Sequence, residues 1–389
     1  MGSSLLSTLL LLLIGALVAR LTASQLARWA VPAIVLELLV GVLLGNTVLP
    51  YSRIAPLAGL TELGVLGLFF QVGLEVRGGL LGSRPAAVLR TVLLSAMAPL
   101  LLWWPLQQAF SLSTATTLLW LAVLSATGTG VTLRALAQAG VLHTPSGRLL
   151  VGVSVLDDLP AIALLTVAML LGSPGLMPGG GGSALGPLLG LAVMALSLPL
   201  SQLWLRRREP WRPGLLGVLI LLISCSWLGE LCGLTSLLGA LWGGVLLGRL
   251  TMMPEAGAES LQLKGQLALM SEVFLPLYFL SVGMRVQAAS LLQPDAWWTA
   301  LVLLALAITS KLLCGFGISS RDQAAGVDRW LVMFGLIPRG LPGLVFASTA
   351  LAGGLITATQ YSALVLMVSA TTVLGLLLLA RRLQSLVDD

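Results

Sequence analysis

Residues 125–165 read SATGTGVTLRALAQAGVLHTPSGRLLVGVSVLDDLPAIALL and hold two features that apolar segments seldom carry. Threonine and glycine alternate near the start of the stretch, and glycine destabilises a helix interior because its backbone is conformationally free. Two adjacent aspartates, Asp157 and Asp158, lie well inside a second apolar run. A charged side chain at the centre of a bilayer costs about 2.5–3.5 kcal/mol. The stretch therefore predicts a site where costly charges serve a function inside a membrane.

The composition of the whole chain favours a bilayer environment. Of 389 residues, 57% are hydrophobic and 9% are charged, with a mean hydropathy of +1.01, whereas a soluble domain carries about 25% charged residues. This excludes a soluble or disordered protein and predicts an all-α polytopic membrane protein. The three cysteines lie in apolar runs, which excludes a disulfide scaffold. With one histidine and no nucleotide-binding fingerprint, the sequence indicates no enzyme, cofactor or resident metal.

Thirteen apolar runs are long enough for membrane helices, which need about 20 residues each. The predicted runs are 4–21, 30–50, 58–76, 86–110, 115–138, 147–172, 184–205, 213–232, 234–250, 266–285, 295–317, 328–351 and 359–380. An alternative for the first run is a cleaved signal peptide. Against it, residues 1–5 contain no Lys or Arg, and the basic residues Arg20 and Arg28 follow the run.

Basic residues segregate between the two faces on which the loops would lie. Seventeen of the 21 Lys and Arg residues fall in loops or near span ends on one face, and only Arg53 and Arg285 fall on the other. The remaining two, Lys311 and Arg339, lie inside predicted spans. Because cytoplasmic loops are rich in Lys and Arg, we expect a bacterial inner-membrane protein with its N-terminus outside and its C-terminus in the cytoplasm. The net charge of +6 then reflects topology and does not indicate a nucleic-acid partner.

Two stretches of the first half recur in the second. VPAIVLELLVGVLLG (31–45) matches CGLTSLLGALWGGVLLG (232–248) at an offset of 203 residues, and LGLFFQVGLEV (66–76) matches LPLYFLSVGMRV (275–286) at an offset of 210. The alternative is chance similarity between apolar segments. If the match is real, the linker span places the second repeat in the opposite orientation, an inverted topology typical of secondary transporters. We expect one transporter domain over 1–389, composed of a six-helix repeat at about 4–172, a linker helix at 184–205 and a six-helix repeat at about 213–382.

Corresponding spans of the two repeats carry helix-breaking residues. SATGTG in the fifth span and PRGLPG in the twelfth are related by an offset of 211 residues. Because proline removes a backbone donor and glycine lets the backbone open, we expect two crossed discontinuous helices, whose ends carry partial charges of about half an electron. The alternative is that glycine and proline are merely frequent in membrane helices. The residues at the breaks are Thr127, Gly128, Thr129, Gly130 and Pro338.

The aspartate pair and a lysine form the candidate ion-binding group. Adjacent helical residues point about 100° apart, so one carboxylate can pair with a fixed cation while the other faces a cavity and exchanges a proton for a sodium ion. Lys311, in the middle of the eleventh span, is the natural counter-ion for one aspartate. Two alternatives stay open: a buried structural aspartate pair satisfied by serines, and a Lys311 that snorkels to the interface.

Other ionisable residues receive weaker assignments. Arg339, at the break of the twelfth span, either braces freed carbonyls or a glutamate, or takes part in gating. The sequence assigns no role to Glu37, deep in the second span. His143 is expected to be a surface histidine rather than a pH sensor. Four acidic residues near span ends are expected to reach interfacial water: Glu62, Glu75, Glu230 and Glu272.

Residues 125–165 resemble the core of the monovalent cation:proton antiporters of the CPA superfamily, specifically their NapA/KefB-type branch. The resemblance extends to LFFQVGLEV, to LPLYFLSVGMRV, to the lysine of the eleventh span and to IPRGLPGLVFA, and so covers nearly the whole chain. Two departures stand out. Leu341 replaces the acidic residue that often follows Pro-Arg-Gly, and the chain stops soon after its last span, without the nucleotide-binding domain of many potassium-efflux members.

The resemblance implies a homodimer in which a core bundle moves against a dimerisation bundle. It implies that Asp158 is the carboxylate that binds the transported Na⁺ or the proton, and that Asp157 forms an ion pair with Lys311 that breaks during the cycle. Thr127 and Thr129 would flank the ion. An Asp-Asp pair with a lysine further implies electrogenic exchange.

The expected function is therefore exchange of a monovalent cation, Na⁺ first and K⁺ or Li⁺ as options, for protons by alternating access. One alternative is a sodium-coupled symporter of an organic anion, which the aspartate pair disfavours. A potassium-efflux component is another. A cation channel or a membrane sensor is a third, although the sequence holds no run similar to a selectivity filter and no signalling domain.

Overall fold

The protein is described from a computed structural model over residues 5–25, 32–75, 85–128, 132, 135–136, 139–141, 144–172, 185–205, 214–232, 234–251 and 258–388. Within these residues every regular element is a helix and no strand occurs. The first eight helices are α1 (Leu5–Gln25), α2 (Ala33–Thr47), α3 (Ala58–Glu75), α4 (Pro85–Leu100), α5 (Trp103–Phe110), α6 (Thr114–Ser125), α7 (Pro145–Gly172) and α8 (Leu185–Leu205). The others are α9 (Leu215–Leu231), α10 (Ser236–Thr251), α11 (Ala258–Met284), α12 (Ala288–Leu291), α13 (Pro294–Leu313), α14 (Ser320–Ala324), α15 (Arg329–Leu336), α16 (Gly340–Ala352) and α17 (Ala358–Asp388).

Six of the described segments are long and apolar enough to cross a membrane. In a bilayer the backbone must satisfy its own hydrogen bonds, which a helix does without any partner strand. The six segments are Leu5–Gln25, Pro85–Phe110, Gly265–Met284, Pro294–Gly317, Arg329–Ala352 and Ala358–Ser385. Shorter apolar helices cover Ala33–Thr47, Ala55–Gln71, Thr114–Ser125, Leu159–Gly172, Ala192–Ser201, Leu215–Leu231 and Ser236–Thr251. The prediction of an all-helical chain with several membrane-length helices is confirmed.

Some predicted runs are interrupted. The run 86–110 is divided into α4 and α5 by a turn at residues 101–102, and Pro105 lies four residues after Leu101. Proline lacks the amide hydrogen of a regular helical turn and clashes with the carbonyl four residues earlier. The runs 115–138 and 328–351 are interrupted where the sequence predicts breaks, after Ser125 and after Leu336.

The described chain falls into two compact units. The first comprises Met1–Ala55, Leu81–Gly172 and Phe279–Asp389. Here α6 packs along α7, and α13 packs along α17. A buried apolar cluster that includes Val88, Leu150, Leu331 and Leu379 joins α4, α7, α15 and α17. The helices that carry the predicted site are therefore held in one core.

The second unit comprises Pro56–Leu80 and Ser173–Tyr278. Its most extensive packing is between α3 and α10, and α9 also packs along α10. Glycine allows the first of these contacts. A Cβ atom added to Gly73 would clash with the carbonyl of Leu241, and one added to Gly244 would clash with the carbonyl of Phe70. Small residues let membrane helices approach this closely.

A similar glycine contact occurs inside the first unit, between α2 and the last turn of α11. A Cβ atom on Gly41 would clash with the carbonyl of Leu280, and one on Gly283 would clash with the carbonyl of Leu38. Each contact therefore uses one glycine from each helix, facing a carbonyl of the other helix.

Ion pairs tie the ends of several helices of the first unit together. Arg90 at the start of α4 contacts Asp322 at 2.8 Å, and Asp322 also forms a capping box with Ser319. Arg382 in α17 contacts Asp328, the N-cap of α15, at 2.5 Å. These contacts link the start of α4 to α14, and α17 to α15.

Candidate functional site

The first break lies at the end of α6. This helix is buried from Ala115 to its end at Ser125, after which Ala126 adopts an extended conformation with ψ of 147°. Residues 126–128 form no helix, and the next described helical residue is Thr132. The predicted Thr129 and Gly130 lie outside the described residues.

The second break separates α15 from α16 at residues 337–339. Gly340 begins α16 with φ of +47°, a left-handed conformation that glycine adopts without steric cost. The two breaks are in contact, because the amide of Gly128 donates to the carbonyl of Pro338 at 2.5 Å. A Cβ atom on Gly128 would lie 3.0 Å from that carbonyl oxygen and 3.0 Å from the amide nitrogen of Gly340. The absence of a side chain at Gly128 thus lets the broken segments touch.

A buried ion pair lies beside the first break. Lys311 Nζ, from the last turn of α13, is 2.5 Å from Asp157 Oδ2 in α7, and both side chains are fully buried. The Thr127 hydroxyl donates to the same carboxylate oxygen at 2.5 Å. The structure therefore brings Asp157, Lys311 and Thr127 together, and the snorkelling alternative for Lys311 is wrong, since no part of the side chain reaches the surface.

The Lys311 ammonium also donates to two serines. It contacts the carbonyl of Ser125 at 2.8 Å and the hydroxyl of Ser95, which comes from α4. Sequence reasoning missed Ser95, which lies in the ordinary apolar run 86–110 and is 216 residues from its partner. One alternative from the sequence is a structural aspartate pair whose carboxylates are satisfied by serines. In the structure, the Ser95 hydroxyl contacts Lys311 instead.

Arg339 is the third fully buried charge of the site. Its guanidinium donates to the carbonyl of Ala126 at 2.9 Å and to the carbonyl of Ala307 at 2.7 Å, with a longer contact of 3.3 Å to the Ser310 hydroxyl. The break after α6 frees the Ala126 carbonyl from helical bonding. Arg339 therefore bonds one carbonyl at the break and one inside α13, and its role in bracing or gating stays a prediction.

The structure describes the backbone of Asp158 but not its side chain. Asp158 belongs to α7, directly after Asp157, but its side chain lies outside the described residues. Oδ1 of Asp157 is buried and has no hydrogen-bond partner among the described residues. The carboxylate thus has one oxygen engaged by Lys311 and Thr127 and one that accepts no bond from the described part of the chain, an arrangement suited to a cation ligand.

The remaining acidic residues divide by burial. Glu37 is 3% exposed in α2, while Glu62, Glu230 and Glu272 are exposed, as expected for residues near span ends. The side chain of Glu75 and all of His143 lie outside the described residues. Within the described part of the chain, no cluster of His, Cys, Asp and Glu could hold a resident metal ion.

A separate cavity of about 480 Å³ lies where α2, α11 and α16 end. The Arg285 guanidinium lies over the ring of Tyr51, 4.4 Å from its centroid, and also donates to the Tyr51 hydroxyl. It further donates to the carbonyl of Ser348 at 3.3 Å. Arg285 thereby ties the end of α11 to α16.

Comparison with known proteins gives the family. Residues 9–381 match the family described as "Sodium/hydrogen exchanger, transmembrane". The chain is 28% identical to the Na(+)/H(+) antiporter of Enterococcus hirae, over 90% of this chain and 92% of that one. It is 26% identical to the high-affinity Na(+)/H(+) antiporter NhaS3 of Synechocystis, over 80% of this chain and 68% of that one.

A solved structure gives the fold. The sodium proton antiporter MjNhaP1 of Methanocaldococcus jannaschii superposes with a TM-score of 0.70 at 17% identity, covering 97% of each chain. The match to the family profile extends over nearly the full length and confirms the resemblance found in residues 125–165 and beyond. This integral membrane protein therefore belongs to the sodium/hydrogen exchanger family of secondary transporters.

Proposed function

We propose that this protein exchanges Na⁺ for H⁺ across a bacterial inner membrane by alternating access. The observation that carries the proposal is the fully buried ion pair between Asp157 and Lys311, in contact with Thr127 at the first break. A buried ion pair costs desolvation free energy and is a weak stabiliser. This pair is adjacent in the chain to Asp158 and lies where two broken helices meet. A role in transport explains it better than a role in stability.

The residues of the site would have different roles in the exchange cycle. Asp158 binds either the proton or Na⁺, so that arrival of one displaces the other. When Na⁺ enters, Asp157 turns its carboxylate from Lys311 to the cation, assisted by the hydroxyls of Thr127 and Thr129. Lys311 then releases its own proton. Two protons leave for each Na⁺ bound, which makes the exchange electrogenic.

The test is proton movement in proteoliposomes that contain a pH-sensitive dye. Addition of Na⁺, and separately of Li⁺ and K⁺, should move protons in the wild type. Asp158→Asn should abolish the movement, because an amide can neither release a proton nor carry the charge that holds the cation. Wild-type exchange retained by Asp158→Asn would overturn its assigned role, and a wild type without cation-dependent proton movement would overturn the function.

An organic anion is a poorer substrate for this site. The Asp157 carboxylate contributes negative charge where the broken helices meet, and the two buried cations are already engaged, Lys311 by Asp157 and Arg339 by carbonyls. An anion would have to displace these contacts before it met a free positive charge. Na⁺ needs only oxygen ligands, which carboxylates and hydroxyls supply.

We also infer thirteen spans, with an extracellular N-terminus and a cytoplasmic C-terminus. Support for this count comes from the apolar helices, since the six long and seven shorter described segments stand one for one at the thirteen predicted runs. The segregation of Arg and Lys supports the orientation. The chain would act as a homodimer, as the resemblance implies.

The glycine contacts support an inverted repeat. The offset of 203 residues relates the contact residues of α2 to those of α10, and the offset of 210 relates those of α3 to those of α11. The two offsets together therefore relate the contact between α2 and α11 to the contact between α10 and α3. A two-fold relation between the repeats requires this correspondence. The equivalent pairs are Leu38 and Leu241, Gly41 and Gly244, Phe70 and Leu280, and Gly73 and Gly283.

A further inference from the structure

The Lys311 ammonium uses all of its hydrogen-bonding capacity. A lysine has three donors and no acceptor, and the three described acceptors of Lys311 are Asp157 Oδ2, the Ser125 carbonyl and the Ser95 hydroxyl. They come from three different elements: α7, the end of α6, and α4. The ammonium is therefore held in place even if one of the three bonds opens.

The three acceptors differ in what they can do when the pair opens. Asp157 is the member that would turn toward the cation. The Ser125 carbonyl can only accept a hydrogen bond. The Ser95 hydroxyl can accept a bond from an ammonium group and can also donate one to a neutral amine. Ser95 is thus the neighbour able to bond Lys311 both with and without its extra proton.

We propose that Ser95 is a positioning residue that holds the Lys311 amine while Asp157 is engaged with the cation, and so sets the affinity for Na⁺. The proposal rests on the function proposed above. With Asp157 turned away, the amine keeps Ser95 and the Ser125 carbonyl. Without the hydroxyl the neutral amine would keep only the Ser125 carbonyl, and its lone pair would lose the donor that Ser95 supplies in a fully buried site, which would disfavour the cation-bound state.

The surroundings of Ser95 support this role. Ser95 is fully buried on α4. Thr91, one turn earlier on α4 and equally buried, donates instead to the carbonyl of Ala87 at 2.8 Å, within its own helix. Two buried hydroxyls on one helix thus have different partners, and only one of the two contacts the ion pair.

The test compares Ser95→Ala with Ser95→Thr and Thr91→Ala in phosphatidylethanolamine–phosphatidylglycerol proteoliposomes. Ser95→Ala should raise the apparent KM for Na⁺ by about twofold to tenfold, the range expected for one hydrogen bond between neutral groups, because the amine is neutral in the cation-bound state. Its maximal rate per folded protein should change far less. Ser95→Thr keeps the hydroxyl and should keep a near-wild-type KM. Thr91→Ala removes a buried hydroxyl that does not contact Lys311, and should also leave KM unchanged.

A second measurement does not depend on transport. Na⁺-dependent thermal stabilisation of the purified proteins gives binding affinity directly, and Ser95→Ala should require correspondingly more Na⁺ for the same shift. A wild-type KM and wild-type Na⁺ stabilisation in Ser95→Ala would overturn the proposal, as would an equal rise in KM in Thr91→Ala. Either result, with active wild-type protein, leaves the proposed exchange standing; an inactive wild type would contradict the exchange itself.

Discussion

At the scale of single residues, Arg339 shows how a charge is held in the core by backbone carbonyls, with no ion pair to the acidic side chains that the structure describes. Its two terminal nitrogens bond carbonyls from two elements, Ala126 at the break and Ala307 in α13. A guanidinium presents its donors in a rigid planar fork, whereas an ammonium is a point charge on a flexible stem. The shape of the side chain, rather than its charge alone, therefore lets it bond both carbonyls.

We predict that Arg339→Lys lowers the free energy of unfolding by about 1.5–3 kcal/mol, the value of one hydrogen bond to a charged group. The lysine keeps the charge but cannot bond both carbonyls in the same geometry. Thermal unfolding in detergent measures the effect. Arg381→Lys, at an exposed position of α17, is the matched control and should unfold like the wild type. An Arg339→Lys protein as stable as the control would show that the fork is not needed.

The residues of the site were predictable to different degrees. Asp157 and Lys311 stand out because an ionisable residue inside an apolar run is costly, so the sequence alone marks them. Ser95 does not stand out, because serine is ordinary in membrane helices and its role depends on a contact across 216 residues. The carbonyl of Ala307 could not have been found either, since backbone groups leave no trace in the sequence.

At the scale of elements, the breaks were predictable and the packing was not. Proline and glycine act within a turn or two of chain, so 126–128 and 337–339 could be located from composition. By contrast, the division of run 86–110 into α4 and α5 was missed, although Pro105 lies four residues after the turn residue Leu101. The close contact of α3 with α10 depends on which face of each helix meets the other, and the repeat offsets alone do not specify this.

We predict that Gly73→Ala destabilises the protein by about 1–3 kcal/mol, the usual cost of overpacking a close contact. The new Cβ would clash with the Leu241 carbonyl, which is backbone and cannot rotate away. Gly59→Ala in the same helix is the control, because no heavy atom other than its chain neighbours and nearby helix backbone lies within 4 Å of its Cβ position. Thermal unfolding should rank Gly73→Ala lowest. Equal stability of the two variants would mean that the contact of α3 with α10 is looser than the structure indicates.

At the scale of the whole molecule, the distribution of basic residues predicts the orientation of the chain in the membrane, which single contacts do not reveal. A cytoplasmic excess of Lys and Arg orients membrane proteins during insertion. The segment at Tyr51–Arg53 would then face the outside, and the turn after α14 would face the cytoplasm. Both segments carry exposed positions suitable for a probe, Ser52 and Ala325.

We predict that a membrane-impermeant maleimide labels Ser52→Cys on intact cells and labels Ala325→Cys only after the membrane is opened. The unaltered chain provides the background, because its three cysteines lie inside helices or at a helix end and Cys314 is fully buried. Labelling of Ala325→Cys on intact cells with protection of Ser52→Cys would reverse the orientation. Labelling of both on intact cells would contradict an odd number of spans between the two positions, and with it the thirteen-span topology on which the inverted repeat depends.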